Sequence, residues 1–369
     1  MTVNKHFDEH LKSLLDKKEA AGLLRRLVSV TDKVDFCSND YLGFASNEEI
    51  IFNSQSYVNN GSTGSRLITG NSMLAENTEA LIAQYHQAEA ALLYSSGYMA
   101  NVGLLSCIAA KGDTIISDEY IHASIIDGIR LSKANKHVFK HNDVSDLEAK
   151  LQLATQRTIV VVESIYSMDG DEAPLSIIAD LCEKYHALLI VDEAHSTGIY
   201  GEKGEGLVCQ YQLENKVYAR IHTFGKALGC HGAAIVGSAI LRQYLINYSR
   251  SFIYTTALPP SFYLQIQTIY QILPQANRNI LFEAIECWKE NIEKVKKYAI
   301  IDSHSPIQAL VIGDNFKAKA IENQLLQKGF FVKAILSPTV PVGTERLRIS
   351  IHSFNTKEQI EDLIKAINK

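Results

Sequence analysis

The chain has 369 residues, of which 46% are hydrophobic and 21% are charged, and its formal net charge is −5. This length predicts about two domains, and the composition is typical of a globular protein rather than a disordered one. The slightly acidic balance argues against the basic surface that nucleic-acid binding requires.

No apolar run reaches the roughly 18 residues of a membrane span, and the charged N-terminus lacks the pattern of a secretory signal. We therefore expect no membrane or nucleic-acid partner and a cytoplasmic location. The cysteines show no CxxC spacing, which favours reduced thiols and predicts neither a disulfide framework nor a metal site. They are Cys37, Cys107, Cys182, Cys209, Cys230 and Cys287.

The first predicted element is a helix over residues 4–28, where leucines recur with a period near 3.6. Arg25 and Arg26 are expected at its end, where cations suit the helix dipole. A short strand follows near residues 34–36. The Gly- and Ser-rich stretch 59–71 cannot form regular secondary structure throughout. The sequence leaves two alternatives for it, a flexible linker or an ordered loop.

From residue 72 onward, apolar strands alternate with helices. The predicted strands cover residues 90–94, 114–117, 138–140, 158–163 and 187–192. The predicted helices cover residues 73–86, 99–110, 124–133, 144–153 and 175–185. This alternation predicts an α/β fold whose mostly parallel sheet is covered by helices on both faces.

The last third of the chain predicts a small α+β domain that begins after the Pro259-Pro260 break. Its helices are expected over residues 261–298, interrupted at Pro274, and over 316–328 and 357–368. Its strands are expected over residues 306–312, 330–335 and 346–352. The predicted organisation is an N-terminal helical segment 1–35, a large domain 36–258 and a small domain 259–369.

Polar residues cluster where the predicted strands end. In parallel sheets, ligands bind beyond the carboxyl ends of the strands. The clustering therefore indicates an enzyme. The residues concerned are Ser95, His122, Glu163, Ser167 and Asp192.

Lys226 lies among small residues in the stretch 220–237. Such bare surroundings suit a lysine that forms a covalent imine with a flat cofactor, because the backbone can approach closely. Thr223 could then bind a phosphate, while Asp192 could hold a positive ring nitrogen and His195 could reach the same ligand. A solvated lysine in a Gly-rich surface turn is the alternative for Lys226 taken alone.

Residues 192–195 also spell the DEAH box of a helicase-type ATPase. That chemistry needs a GxxxxGK[ST] phosphate loop upstream, because the carboxylate acts on a nucleotide-bound Mg²⁺. The chain contains no such loop, which argues strongly against this class.

Seven motifs are spread in order over nearly the whole chain: SNDYLGF (38–44), GSTGSRLITG (61–70), SSGYMAN (95–101), HASIIDG (122–128), SMDGDEAPL (167–175), VDEAHSTGIYG (191–201) and HTFGKALG (222–229). They resemble motifs of the α-oxoamine synthases, which are fold-type I enzymes that use pyridoxal 5′-phosphate (PLP). Within this family, HND (141–143) and the tail SPTVPVGTERLRIS (337–350) look most like the members that join L-alanine to a pimeloyl thioester of coenzyme A or acyl carrier protein.

The resemblance implies a role for each matching residue around the cofactor. Lys226 would carry the imine and transfer protons, and Asp192 would pair with the pyridinium nitrogen so that the ring can accept electrons. His122 would stack on the ring face. His195 and Ser167 would contact the region of the ring hydroxyl.

The resemblance also implies phosphate and substrate contacts. Gly97 and Tyr98 would bind the phosphate with help from Thr223, and Arg348 would hold the amino-acid carboxylate. The remaining expected substrate contacts are Arg25, for which adjacent Arg26 is an alternative, together with Asn39, His122 and Thr339. Residues 254–257 resemble a segment that reaches the partner subunit's phosphate, which implies a homodimer with shared active sites.

Thr63 departs from the family pattern, because many relatives have Gly or Ala there. Its loop helps to select the amino acid, so glycine or serine specificity stays open, as in glycine C-acetyltransferase, 5-aminolevulinate synthase or serine palmitoyltransferase. A non-catalytic relative is disfavoured, because Lys226, Asp192 and His195 are all present.

Overall fold

The computed structural model describes residues 3–55 and 59–368 and divides the chain into two compact units. The larger unit contains residues 39–167 and 171–281, and the smaller unit contains residues 168–170, 282–369 and those before Asn39. This division differs from the expected segments 1–35, 36–258 and 259–369. The N-terminal segment clusters with the C-terminal residues, whereas the helix after Pro259 packs on a helix of the larger unit.

The strands of the described residues pair into three sheets. In chain order they are β1 Val34–Asp35, β2 Ala90–Tyr94, β3 Thr114–Asp118, β4 Asn135–Phe139, β5 Thr158–Glu163, β6 Leu188–Asp192, β7 Ala219–Thr223, β8 Ala233–Gly237, β9 Ala299–Ile301, β10 Ile307–Val311, β11 Phe330–Phe331, β12 Lys333–Ile335 and β13 Arg346–Ser350.

Helices alternate with the strands in the larger unit, and further helices belong to the smaller unit. In chain order they are α1 Val3–Ala20, α2 Glu48–Gln55, α3 Met73–Tyr85, α4 Gly97–Ile108, α5 Ala123–Ser132, α6 Val144–Leu153, α7 Leu175–Lys184, α8 Leu207–Gln210, α9 Ala239–Tyr248, α10 Arg250–Ile253, α11 Pro260–Ile272, α12 Asn279–Ile292, α13 Asn315–Gln327 and α14 Lys357–Asn368. Within residues 3–55 and 59–368, no helix combines the length and apolar character needed to cross a membrane.

The larger unit is built on a seven-stranded sheet with the order β2-β8-β7-β6-β5-β3-β4. Strands β3 to β7 run parallel to one another, and β8 runs antiparallel to both β2 and β7. All six residues of β5 are buried, as expected for a central strand covered on both faces. The predicted mostly parallel sheet is confirmed.

One hydrophobic core fixes this sheet against its helices. Leu104 of α4 and Ile125 of α5 are fully buried with Ile115 and Ile190 of the sheet. Burying each such side chain stabilises the fold by roughly 1.5–3 kcal/mol relative to exposure. The strand ends, where the polar residues lie, are therefore carried on a well-packed scaffold.

The smaller unit contains the antiparallel sheet β12-β13-β10-β9, and α13 packs on its strands. The single strand predicted over 330–335 is wrong. Phe330–Phe331 pairs in parallel with β1, whereas Lys333–Ile335 pairs with β13 in the four-stranded sheet. β9 is not among the predicted strands, because two of its three residues are exposed and leave no burial pattern.

The predicted N-terminal helix is too long. It ends at Ala20, and Gly22 adopts a left-handed φ of 70°. Arg25 and Arg26 therefore lie beyond the helix and cannot act on its dipole. The cations of the last turn are instead Lys17 and Lys18.

Candidate active site

Asp192 ends β6 with a buried carboxylate that is 5% exposed. Its Oδ2 accepts a hydrogen bond of 2.7 Å from Nδ2 of Asn101, and its Oδ1 accepts one of 2.9 Å from the backbone N–H of Ala194. Nδ2 of Asn101 also donates to Ser124 Oγ at 3.0 Å. The carboxylate is thus held in one orientation by α4 and by the turn after β6.

Glu163 ends the neighbouring strand β5 and pairs in register with Asp192. Its carboxyl accepts a hydrogen bond from the backbone N–H of His122. Burial, together with the negative charge of Asp192, raises the pKa of Glu163 to about 8. Two carboxyls therefore share a buried site, and one of them retains its proton near neutral pH.

His122 caps α5, and its Nδ1 lies 2.7 Å from Ser124 Oγ. Partial loss of hydration lowers the pKa of His122, although the residue stays exposed. Asp192 opposes this effect, and the positive charge of Lys226 adds to it. The ring of Tyr98 meets that of His122 edge-on at a centroid distance of 6.4 Å.

Lys226 lies in the turn between β7 and β8. The backbone N–H of Phe224 donates to Gly232 O at 3.0 Å, and that of Cys230 donates to Phe224 O at 2.8 Å, which closes the turn. Lys226 is half-buried. Its positive charge opposes the rise in the pKa of Glu163 and adds to the fall in the pKa of His122. The structure therefore brings the predicted lysine to the same carboxyl edge of the sheet as these two residues.

A cradle for an anion lies at the start of α4. The Ser96 hydroxyl caps this helix by accepting from the backbone N–H of Met99 at 3.3 Å. A Cβ atom at Gly97 would collide with the hydroxyl of Thr223, so a larger residue there would force that hydroxyl to move. Helix N-termini and hydroxyl groups bind phosphate well.

His195 is buried in the turn after β6, and its Nδ1 lies 2.8 Å from the hydroxyl of Tyr41. That hydroxyl donates to Asn39 Oδ1 at 3.0 Å. Ser167 is also buried, in the turn that follows β5. The larger unit thus connects Asn39 to His195 through Tyr41.

The other predicted substrate contacts belong to the smaller unit. Arg348 is buried in the inner strand β13, where its Nη1 donates to Ser350 Oγ at 3.0 Å. Arg25 and Thr339 are exposed.

Two residues of the site were not assigned a role from the sequence. Asn101 interrupts the apolar face of α4, and a buried amide in such a helix is a signal for a polar partner. Tyr41 lies within a recognised motif, but its spacing does not indicate which group it bonds. Both act by orienting other side chains, Asp192 and His195.

The residues of the larger unit fit pyridoxal 5′-phosphate. Two buried carboxyls side by side favour a cationic group such as a pyridinium N–H. The cradle at Gly97 and Thr223 suits a phosphate, and the amine of Lys226 lies at the same edge of the sheet. This donor set provides an acid, an amine and an anion site together.

Comparison with known proteins agrees with this fit. The family described as aminotransferase class I and II matches residues 31–367. The 8-amino-7-oxononanoate synthase 2 of Bacillus subtilis (strain 168) is 38% identical in an alignment that covers 98% of this chain and 97% of that protein.

Two solved structures are also similar. A serine palmitoyltransferase variant from S. paucimobilis, with a bound PLP–myriocin aldimine, has a TM-score of 0.90 at 27% identity and covers 100% of this chain and 98% of its own. The 8-amino-7-oxononanoate synthase from Francisella tularensis has a TM-score of 0.78 at 29% identity, and the match covers 91% of this chain and 97% of that one.

Proposed function

The chain belongs to the aminotransferase class I and II family and, within it, to the 8-amino-7-oxononanoate synthases, which are PLP-dependent acyltransferases, and we propose that its own substrates are L-alanine and a pimeloyl thioester. The products would be 8-amino-7-oxononanoate, CO₂ and free thiol. The family resemblance, the fold, the enzyme class and the cofactor predicted from the sequence are confirmed. The roles of individual site residues stay predictions.

The observation that carries the choice of substrates is the 38% identity to a synthase of this name over 98% of the chain. A second candidate is a serine palmitoyltransferase-like reaction. The TM-score of 0.90 to such an enzyme, against 0.78 to the synthase from Francisella tularensis, favours this second candidate.

We assign the cofactor contacts as follows. Lys226 would hold the aldehyde of PLP through Nζ, and Asp192, oriented by Asn101, would keep the ring nitrogen protonated. His122 would cover one face of the ring. When bound, PLP supplies an electron sink for negative charge that develops on the amino acid.

The remaining contacts bind and orient. Gly97, Tyr98 and Thr223 would hold the phosphate, and Ser167 and His195 would bind beside the ring hydroxyl. Arg348 would hold the substrate carboxylate, since guanidinium and carboxylate form two parallel hydrogen bonds. Arg25, Asn39 and Thr339 would contact the substrates. The amine of Lys226 would take the proton from the α-carbon of alanine and return one after CO₂ has left.

A substrate panel tests the proposal. The purified PLP-loaded protein is mixed with alanine, glycine or serine, each with pimeloyl-, acetyl- or palmitoyl-CoA, and the product is identified by mass spectrometry. We expect 8-amino-7-oxononanoate from alanine and pimeloyl-CoA and no product from Lys226→Ala, which lacks the amine. A dominant product from serine and palmitoyl-CoA, or from glycine and acetyl-CoA, would replace the proposed substrates.

A further inference from the structure

The HND motif at residues 141–143 lies outside the cofactor contacts assigned above, yet each of its residues makes specific bonds. The backbone of Asn142 is left-handed, with φ of 54°, and its N–H donates to Asp118 Oδ2 at 2.9 Å. Asp143 caps α6 by accepting from the backbone N–H groups of Ser145 and Asp146 at 3.0 Å each. The motif therefore builds a defined turn that presents the ring of His141.

His141 lies between two carboxylates. Its Nδ1 is 2.9 Å from Asp118 Oδ1, and its Nε2 is 2.6 Å from Asp171 Oδ2. An ionised carboxylate only accepts hydrogen bonds, so both ring nitrogens must donate, and this requires an imidazolium. Burial alone would lower the pKa of His141, but the hydrogen bonds to Asp118 and Asp171 outweigh it and raise the pKa to about 9.

Aromatic rings complete the surroundings of this cation. The Tyr120 ring stacks on His141 at a centroid distance of 4.3 Å, and the Tyr166 ring meets it edge-on at 4.5 Å. Glu119 adds a third carboxylate, which accepts from the backbone N–H of His141 at 2.9 Å. Every charged side chain that faces His141 in these contacts is negative, which favours the protonated ring.

The two carboxylates lead to two different loops of the cofactor site. Asp118 ends β3 and accepts from the backbone N–H of Tyr120 at 2.8 Å, two residues before His122. The backbone carbonyl of Asp171 accepts from the N–H of Tyr166 at 3.0 Å and closes the turn that contains Ser167. One imidazolium thus connects the loop of His122 with the loop of Ser167.

We propose that His141 is a positioning residue whose protonated ring, held between Asp118 and Asp171, keeps His122 and Ser167 in place for PLP. The inference rests on the PLP contacts assigned above and adds to them a group that does not touch the cofactor. Its effect reaches PLP through Asp118 and Asp171.

The test compares His141→Gln with His137→Gln, which makes the same chemical change at an exposed position of β4. PLP affinity is measured by titrating the cofactor-free full-length protein and following absorbance. Losing a hydrogen bond to a charged group costs about tenfold in an equilibrium constant. We therefore expect PLP to bind about tenfold more weakly to His141→Gln and with unchanged affinity to His137→Gln.

A double variant tests whether His141 acts through Asp171. If it does, His141→Gln combined with Asp171→Asn should weaken PLP binding no more than the more damaging single change. Additive losses, or equal PLP affinity in His141→Gln and His137→Gln, would overturn the proposal.

A measurement on the unmodified chain keeps the inference testable if His141→Gln does not fold. In protein labelled with ¹⁵N-histidine, one ring should remain an imidazolium at about pH 8, above the ordinary histidine pKa of about 6.5. If every histidine ring were neutral at that pH, His141 would not be protonated between Asp118 and Asp171, and the proposal would be wrong. The substrate panel is read independently of these measurements. If the unmodified protein formed no product from alanine and pimeloyl-CoA while His141→Gln bound PLP weakly, the proposed substrates would be wrong and the role of His141 would still hold.

Discussion

At the scale of single residues, the pair Glu163 and Asp192 determines how the site responds to pH. Their carboxyls end neighbouring strands in register, and both side chains are buried. Asp192 accepts two hydrogen bonds, and burial beside Asp192 raises the pKa of Glu163 to about 8. Glu163 is therefore a neutral acid near pH 7.

Replacing Glu163 should change the pH dependence of stability. Its folded pKa of about 8 lies above its ordinary value of 4.5. As pH rises from 4.5 to 8, the unfolded chain loses this proton while the folded chain retains it, so the free energy of unfolding falls. We expect Glu163→Gln to remove this contribution and to stabilise the cofactor-free protein near pH 8. Urea unfolding at a series of pH values measures the effect.

The control is Glu202→Gln, which replaces an exposed carboxyl. Its difference from the unmodified protein should be flat across the same range. An equally flat difference for Glu163→Gln would mean that Glu163 ionises normally in the folded chain.

Several site residues could be located from the sequence because strand ends in a parallel sheet meet at one edge. Asp192, Glu163 and His122 follow from that rule, and the structure brings them together. Asn101 could not be placed, because its partner is 91 residues away and helix periodicity does not encode that contact. The same limit applies to Tyr41 and His195, which are 154 residues apart.

At the scale of elements, α3 is joined to the sheet by a buried cluster of charges. Glu79 of α3 accepts from Arg66 Nη1 at 2.8 Å, from Arg242 Nη2 at 2.7 Å and from the backbone N–H of Leu93 at 3.0 Å. The side chain of Glu79 is 3% exposed, and that of Arg66 is 7% exposed. One carboxylate therefore ties a helix, a loop and an edge strand together.

Glu79→Gln should destabilise the protein strongly, because it removes the buried carboxylate 2.8 Å from the Arg66 guanidinium and leaves only the exposed carboxylate of Glu76 at 3.7 Å. Breaking a buried pair in this way costs about 3 kcal/mol or more. Glu76→Gln is the matched control. Glu76 bonds Arg242 at 2.9 Å, but its side chain is 40% exposed, so its loss should cost under about 1 kcal/mol. Chemical unfolding compares the two, and similar losses would contradict a structural role specific to Glu79.

The elements that sequence patterns predicted best are those with a clear pattern of burial. Helix α6 begins and ends as predicted because its buried residues, Leu147 and Leu151, follow the helical period. Strand β5 begins and ends as predicted because all six of its residues are buried. Helix α1 was overextended, because leucines beyond Ala20 keep the helical period after the backbone has turned at Gly22. None of the residues of α1 is buried, so its apolar pattern does not correspond to packing against a core.

At the scale of the whole molecule, sharing of active sites between two subunits stays a prediction. It rests on residues 254–257, where Thr256 and Tyr254 are exposed and the Arg250 guanidinium lies 5.0 Å from the Tyr254 ring centre. In a two-fold symmetric dimer, such a segment could complete the phosphate site of its partner.

Subunit complementation tests this sharing. Lys226→Ala removes the amine, and Thr256→Glu would place a negative charge beside the partner's phosphate, so each variant alone should be inactive. A mixed dimer would contain one intact site, so equal mixing during refolding should restore about a quarter of normal activity. Full activity of Thr256→Glu alone, or no recovery on mixing, would argue that each subunit works independently.

The position of β8 has a consequence for synthesis on the ribosome. In the sheet order, β2 has β8 as its neighbour, and β8 in turn completes the pairing of β7. A nascent chain that has emerged only as far as Asp192 must therefore carry β2 with both backbone edges unpaired, a state that invites association with other chains. β2 can pair once Ala233–Gly237 has left the exit tunnel, which happens shortly after Lys226 emerges. The amine of Lys226 and the complete sheet that supports it therefore become available at nearly the same moment.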